Sequence, residues 1–148
     1  MEFELATTYS QKASCLAKLG EINEALDCYR LVFDVQRRFR TVRTLSHIDF
    51  GKLVVANKLE SLFDEVLAVL REFDIKGIAF PKDVFEIYGI LAVIGAQRGE
   101  IEKAQEFATK ALEAASQVHS GLRYHPTTGI VQDKETPFYR SLEAILRL

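Results

Sequence analysis

The chain has few of the residues that mark secreted, membrane-spanning or strongly charged proteins. Its 148 residues include two cysteines, three prolines and no tryptophan, and the net charge is −2. Two cysteines without a Cys-x-x-Cys pattern favour a reducing compartment. Residues 1–5 are acidic where a secretory signal is basic, and the longest apolar run, 87–96, is too short to span a bilayer. We therefore expect a cytoplasmic protein that binds neither nucleic acid nor membranes through its overall charge.

Catalytic and metal-binding motifs are missing as well. The sequence contains no Gly-x-Ser-x-Gly, no glycine-rich phosphate loop and no His-Glu-x-x-His. His119 and His125, with Asp133 nearby, match no strong zinc spacing, and a structural role in a loop is favoured over metal binding. The sequence thus predicts a protein that is not an enzyme and that holds no metal or cofactor.

What the chain does contain is an internal repeat. Residues 13–29 and 92–108 share one pattern: a helical run, Gly-Glu-Ile, a polar pair, an alanine and a second helical run. Such self-similarity indicates a repeat protein, whose surface holds other molecules. Small side chains let paired helices approach closely, so Ala25 and Ala104 are expected to be buried where helices cross.

Apolar residues recur at helical spacing over nearly the whole chain. Gly20 is expected to end the first helix, Asn23 to cap the second, and Thr136 to cap the last. A glycine and a proline make the connector 74–81 a break between helices. No β-hairpin is predicted. The predicted helices begin at about residues 3, 23, 44, 60, 83, 102 and 136, and the fifth and sixth end near 98 and 118.

The two copies resemble tetratricopeptide repeats, which are helix–turn–helix units of about 34 residues. The stretch between them fits loosely, with Asn57 at the turn and Leu62 at the small position, as in degenerate bacterial repeats. The resemblance implies an all-α fold, an α-α superhelix of about three antiparallel helix pairs with a C-terminal capping helix. We expect a single domain over 1–148, with units at about 3–40, 44–73 and 83–119, an irregular segment at 120–135 and the capping helix at 136–148.

The resemblance also implies a function. It suggests a non-catalytic scaffold or adaptor that binds a protein or peptide partner, free or as a piece of a larger bacterial protein. The alternative is a regulatory sensor domain that binds a peptide or small ligand in the concave groove. The first helix of each pair should line that groove, whose small side chains suit an apolar helix or the chain's own tail. Homodimer formation stays open. The candidate partner-binding residues are Ser10, Ser14, His47, Gly51, Glu86, Gly89, Arg123, Tyr124 and His125.

Residues 119–131 have two interpretations. Two histidines, an arginine, a tyrosine and two glycines in this run fit a recognition loop. An ordered segment that packs its apolar residues on the last repeat fits equally well. The apolar residues in question are Leu122, Tyr124, Ile130 and Val131.

Two smaller features complete the sequence analysis. Arg37, Arg38, Arg40 and Arg43 fit a phosphate or acidic-partner site. Cations also gather where a helix ends, and this interpretation is favoured because the remaining surface is not basic. Cys15 and Cys28 are expected to be small buried side chains inside the first helix pair.

Overall fold

The described part of the chain is a series of seven α-helices joined mostly by short turns. A computed structural model describes residues 1–74 and 80–148, and these residues contain no β-strand. The all-α helical-repeat prediction is therefore confirmed. The helices are α1 Glu2–Lys18, α2 Ile22–Arg38, α3 Ser46–Ala56, α4 Phe63–Glu72, α5 Pro81–Gln97, α6 Ile101–Ala115 and α7 Pro137–Leu146, and a 3₁₀ turn at Glu60–Leu62 precedes α4.

Several helix ends differ from the predictions. Asn23 lies inside α2, because the chain turns into the helix at Glu21, whose side chain makes no capping bond. Pro81 is the first residue of α5, where its missing N–H costs nothing. Helix α6 ends at Ala115, short of the predicted 118. The break between α4 and α5 is present, but residues 75–79 of that connector lie outside the described residues.

Each of the three helix pairs closes through the same backbone turn. Gly20, Lys58 and Gly99 have positive φ angles of 81, 53 and 77°. The next amide donates to a carbonyl in the last turn of the preceding helix, as in a Schellman motif. The N–O distances are 2.9 Å from Glu21 to Leu16, 3.1 Å from Leu59 to Val54 and 2.9 Å from Glu100 to Gly95. The middle turn therefore centres on Lys58, one residue later than the predicted Asn57. The middle unit thus has the same turn geometry as the outer units, although its sequence lacks the turn glycine.

The small residues that follow these turns are buried, as predicted. Ala25 and Ala104 are each 0% exposed. A Cβ added at Gly95 would lie 3.4 Å from the Cβ of Ala104, so α5 and α6 cross at close range. In the middle unit the equivalent position belongs to Phe63, not to Leu62, and Phe63 is 1% exposed. A bulky side chain thus fills the position that alanine takes in the outer pairs.

Ala104→Leu is expected to destabilise the chain by about 1–3 kcal/mol, because the close crossing with Gly95 leaves no room for three further carbons. Urea denaturation followed by circular dichroism measures the change. Ala68→Leu, at an exposed position of α4, is the matched control and should leave the unfolding midpoint nearly unchanged. Equal midpoints for the two variants would contradict the close crossing.

Helix α7 covers the open side of the last pair. Thr136 accepts a hydrogen bond from the Tyr139 amide at 3.1 Å and so caps the helix, as predicted. Leu142 and Ile145, 0% and 6% exposed, pack with the alanines of α6 and with Phe85. The expected capping helix is thus confirmed.

Ion pairs connect the second helices of the first two units. Arg30 holds Glu65 through two bonds of 2.7 and 2.9 Å, and Arg37 holds Glu72 in the same way. Both guanidinium groups also lie over aromatic rings, at 5.7 Å from the ring centroids of Phe50 and Phe73. Two-point geometry and stacking make such pairs more stabilising than ordinary surface pairs.

The cysteine prediction is half wrong. Cys28 is buried, but Cys15 is exposed. Cys15 stands at the repeat position of Ile94, which packs into the core between the middle and last units. No helix of the described residues lies against the corresponding face of α1, so its side chains, Thr8, Gln11 and Cys15, remain exposed.

Candidate partner-binding groove

The first helices of the three units line a groove that Phe138 divides into two parts. The first part, about 390 Å³, lies between α1 and α3. The second, about 670 Å³, lies between α3, the start of α5 and the C-terminal segment 127–138. Lys52, Ala56 and Phe138 line both parts. The groove therefore runs from α1 to α7 along one side of the stack.

Apolar side chains line most of the groove. Ala17 of α1 faces Leu53 and Ala56 of α3 in the first part, and Tyr29 contributes from α2. Phe85, Ile130 and Val131 line the second part. The ring of Phe138 lies at 5.5 Å from that of Phe85, in an edge-to-face arrangement. A surface of this kind binds apolar side chains rather than a highly charged ligand.

A charged network crosses the groove near its middle. Lys52 Nζ donates to Glu86 Oε1 at 2.8 Å, and the Glu86 side chain is 10% exposed. Asp49 is exposed one turn before Lys52. Lost hydration raises the pKa of Asp49, Lys52 opposes the rise and Glu86 adds to it. Lost hydration also raises the pKa of Asp83, again with help from Glu86. The pKa values of Asp49 and Asp83 should therefore change when a partner places a cation or a carboxylate next to this network.

Three of the predicted groove residues lie where the prediction put them or beside it. Ser14 lines the first part of the groove and Glu86 the second. Ser10 is half-buried, and its hydroxyl accepts a hydrogen bond from Ser46 Oγ at 3.2 Å, which joins α1 to α3. Whether these residues touch a partner stays a prediction.

His47, Gly51 and Gly89 do not line an open groove, so that part of the prediction is wrong. His47 is 1% exposed and lies 6.3 Å from Phe73, ring to ring. Gly51 faces Ile90 and Val66, because α5 packs directly on α3 at this point. A Cβ on Gly89 would come within 2.5 Å of Phe138, because α7 covers α5 there. The chain's own helices occupy the surface that these residues were expected to offer.

Residues 119–131 form a compact loop whose tip is exposed and whose end is anchored. Ser120 closes the loop with bonds to Pro126 O and His125 O, at 2.7 and 2.6 Å. Arg123, Tyr124 and His125 are exposed, and the Arg123 guanidinium lies over the Tyr124 ring.

The anchored end of this loop holds the groove's second part. Gly129 O accepts from Lys82 N at 2.7 Å, and Val131 is buried at 9% exposed. The interpretation as a segment packed on the last repeat fits Ile130 and Val131. It does not fit Leu122 and Tyr124, which are exposed.

Most residues that line the groove were not among the predicted site residues, and two of them, Lys52 and Phe138, line both of its parts. Each lies on a helix that the analysis identified, but on a face that it did not assign to the groove. Phe138 is one of the apolar residues whose helical spacing predicts the last helix, and this spacing was the available signal for it.

The described residues contain neither a membrane-spanning helix nor a metal-binding cluster. Over 1–74 and 80–148, no helix combines the length and apolar character that crossing a bilayer requires. Within the same residues, no three His, Cys, Asp or Glu side chains form a group that could hold a metal ion.

Comparison with known families agrees with the repeat geometry. The tetratricopeptide repeat model matches residues 6–39 and 85–118, which cover most of α1 and α5 and all of α2 and α6. No curated protein and no solved structure is detectably similar to the chain. Tetratricopeptide repeats generally mediate protein–protein interaction and are typically not catalytic. With two matched units and the same turn at Lys58 between them, this chain is a tetratricopeptide-repeat helical protein.

Proposed function

We propose that this protein is an interaction scaffold that holds a protein or peptide partner in the groove along α1, α3 and α5. The observation that carries the proposal is the groove itself, an apolar channel that α7 narrows at Phe138 without closing. The chain, treated as one domain of three units, works in the cytoplasm, free or as part of a larger bacterial protein whose other domains carry an activity. The two free cysteines, Cys15 and Cys28, fit a reducing compartment.

The groove sets the chemistry of the partner. Ala17, Leu53 and Ala56 leave space for bulky apolar side chains in the first part. A helix or extended segment with apolar residues on one side and a polar group opposite Lys52 and Glu86 satisfies both the walls and the charged network. Arg123 and Tyr124 are exposed on the loop that reaches the groove wall at Thr127, and a partner that extends beyond the groove can contact them, since these residue types often dominate binding energy. A second copy of the chain is one such partner.

A sensor domain is the second candidate, and the second part of the groove favours it. About 670 Å³ between α3, α5 and segment 127–138 falls within the size range of small-ligand sites. Thr127, Gln132 and Asp133 add polar groups to its apolar wall. A ligand there would lie against α7 and could shift it. Thermal stabilisation by a small-molecule library, without any protein partner, would favour the sensor over the scaffold.

Ala56→Arg is expected to weaken partner binding, because Ala56 is exposed and lines both parts of the groove. Native cell extract is passed over the immobilised wild-type chain, and mass spectrometry identifies the retained partner. The affinity of the captured partner is then measured for each variant. A loss of at least about tenfold is expected for Ala56→Arg, as one central contact can contribute ~1.4 kcal/mol or more.

Two further variants locate the site. Arg123→Ala with Tyr124→Ala should weaken binding if the loop tip contributes. Ala68→Arg, on the exposed side of α4, adds the same charge away from the groove and should bind normally. Wild-type affinity in Ala56→Arg would place the partner elsewhere and end the groove proposal.

A further inference from the structure

The turn between α2 and α3 concentrates positive charge that carboxylates of the described residues pair only in part. Residues 35–48 contain four arginines and no aspartate or glutamate. Arg37 is bound to Glu72 and Asp34. Arg38, Arg40 and Arg43 are exposed and make no ion pair with any residue in 1–74 or 80–148. Elsewhere, Arg30, Arg98 and Arg140 each hold a carboxylate, while Arg71, Arg123 and Arg147 make no ion pair with the described residues but stand singly. The end of a helix therefore does not explain this cluster, since two of its free arginines lie beyond α2.

The turn that carries these arginines is held in one shape. Val42 N donates to Phe39 O at 2.9 Å and closes the turn. Val42 is 8% exposed and packs with Ala6 of α1. The buried side chain of Gln36 donates to Val42 O at 3.4 Å and accepts from Thr44 Oγ1 at 3.0 Å. Because the backbone is already fixed, a partner that binds the turn does not have to order it, and the entropy cost of binding is smaller.

Apolar groups and a pocket accompany the charges. Phe39 and Leu45 are 41% and 46% exposed on the two sides of the turn. A pocket of about 300 Å³ is lined by Arg40 and Arg43 of the turn and by Thr44 and Phe73, among others. Its acidic lining is Glu72, which Arg37 already holds, and Asp74. The turn thus presents net positive charge together with two apolar anchors and a place for a side chain.

We propose that the arginine turn, Arg38, Phe39, Arg40, Arg43 and Leu45, is a second docking surface that binds an acidic protein segment carrying apolar side chains. Carboxylates of the segment pair with the three guanidinium groups, and its apolar residues cover Phe39 and Leu45. Three cations fall short of the four to eight or so that usually hold an anionic lipid surface. With a net charge of −2, the chain also lacks the extended basic surface that a nucleic-acid binder usually has around such a cluster. This surface is separate from the groove and does not depend on the proposed scaffold function.

Fluorescence anisotropy tests the proposal with a short labelled peptide of alternating Asp/Glu and Leu/Phe pairs. We expect salt-dependent binding to the wild-type chain and none to the same peptide with lysine in place of its acids. The triple variant Arg38→Gln, Arg40→Gln, Arg43→Gln should lose about tenfold or more in affinity. Phe39→Ser with Leu45→Ser should lose several-fold, because the anchors are gone.

A control triple keeps the same change in net charge. Lys12→Gln, Lys134→Gln and Arg147→Gln remove three exposed cations that make no ion pair with the described residues, and the peptide should still bind. Equal losses in the two triples, or no binding at low salt, would overturn the proposal. Tighter binding of phosphatidylserine vesicles or of a single-stranded oligonucleotide than of the peptide would also overturn it, since the surface would then recognise phosphate. Ala56→Arg should leave peptide binding unchanged, and a loss there would place the peptide in the groove.

Discussion

Gly51→Arg will unfold the chain rather than block a binding groove. Gly51 is buried, and a Cβ there would lie 2.9 Å from Ile90 Cδ1 and 3.2 Å from Val66 Cγ1, so an arginine side chain would start in an occupied part of the core. The substitution overpacks the contact between α3 and α5 and buries a charge among apolar groups. Either mechanism alone is severe, and together we expect a loss of about 4 kcal/mol or more.

Thermal unfolding followed by circular dichroism measures this loss. Ala56→Arg places the same side chain on the same helix at an exposed position, and its melting temperature should stay close to that of the wild type. Gly51→Ala should have a small effect, because the end of the Ile90 side chain can shift and alanine favours the helix by about 1 kcal/mol. A native melting temperature for Gly51→Arg would show that Gly51 faces open space and that the α3–α5 contact is misplaced.

The outer helix pairs were predictable because each has a local signal. Gly20 and Gly99 mark turns that need a positive φ, and Ala25 and Ala104 mark close crossings. The middle turn has no such signal. Lys58 takes the left-handed conformation with φ 53°, which non-glycine residues adopt only when the surroundings favour it. Phe63 likewise stands where a small residue is typical. Packing against the two outer units compensates for both departures, and a sequence pattern does not report packing of that kind.

The position of the groove along the first helices was predictable, but which of its residues are covered by other helices was not. Repeat phase places Ser14, Gly51 and Gly89 on first helices, and it gives no information on what covers them. Covering depends on long-range contacts: Ile90 lies over Gly51, and Phe138 lies over Gly89 after an irregular segment has crossed the start of α5. The small side chains that were expected to leave the groove open are the ones that let neighbouring helices fill it. The expectation that the groove suits the chain's own tail came closest.

Acid is expected to destabilise the fold through His47. Burial lowers the pKa of His47 to about 4, although Asp74 and a hydrogen bond to the Thr44 backbone act in the opposite direction. Its Nδ1 has no hydrogen-bond partner among the described residues. At pH values between the pKa of His47 in the unfolded chain, about 6.5, and its pKa in the folded chain, the histidine is protonated when the chain is unfolded and neutral when it is folded. The free energy of unfolding is therefore highest above this pH range and decreases as pH falls through it, by about 2 kcal/mol at pH 5.

Urea denaturation at pH 7 and pH 5 checks this expectation, with His47→Phe as the informative variant. Phenylalanine fits beside Phe73, carries no titrating group and removes the unpartnered Nδ1, so the free energy of unfolding should change less between the two pH values. The comparison between proteins cancels the contribution of carboxyl groups such as Asp49, whose raised pKa affects both alike. His125→Phe, at an exposed position of the loop, should keep the wild-type pH dependence. If His47→Phe loses as much stability at pH 5 as the wild type does, protonation of His47 does not limit the fold, and another buried group must be responsible.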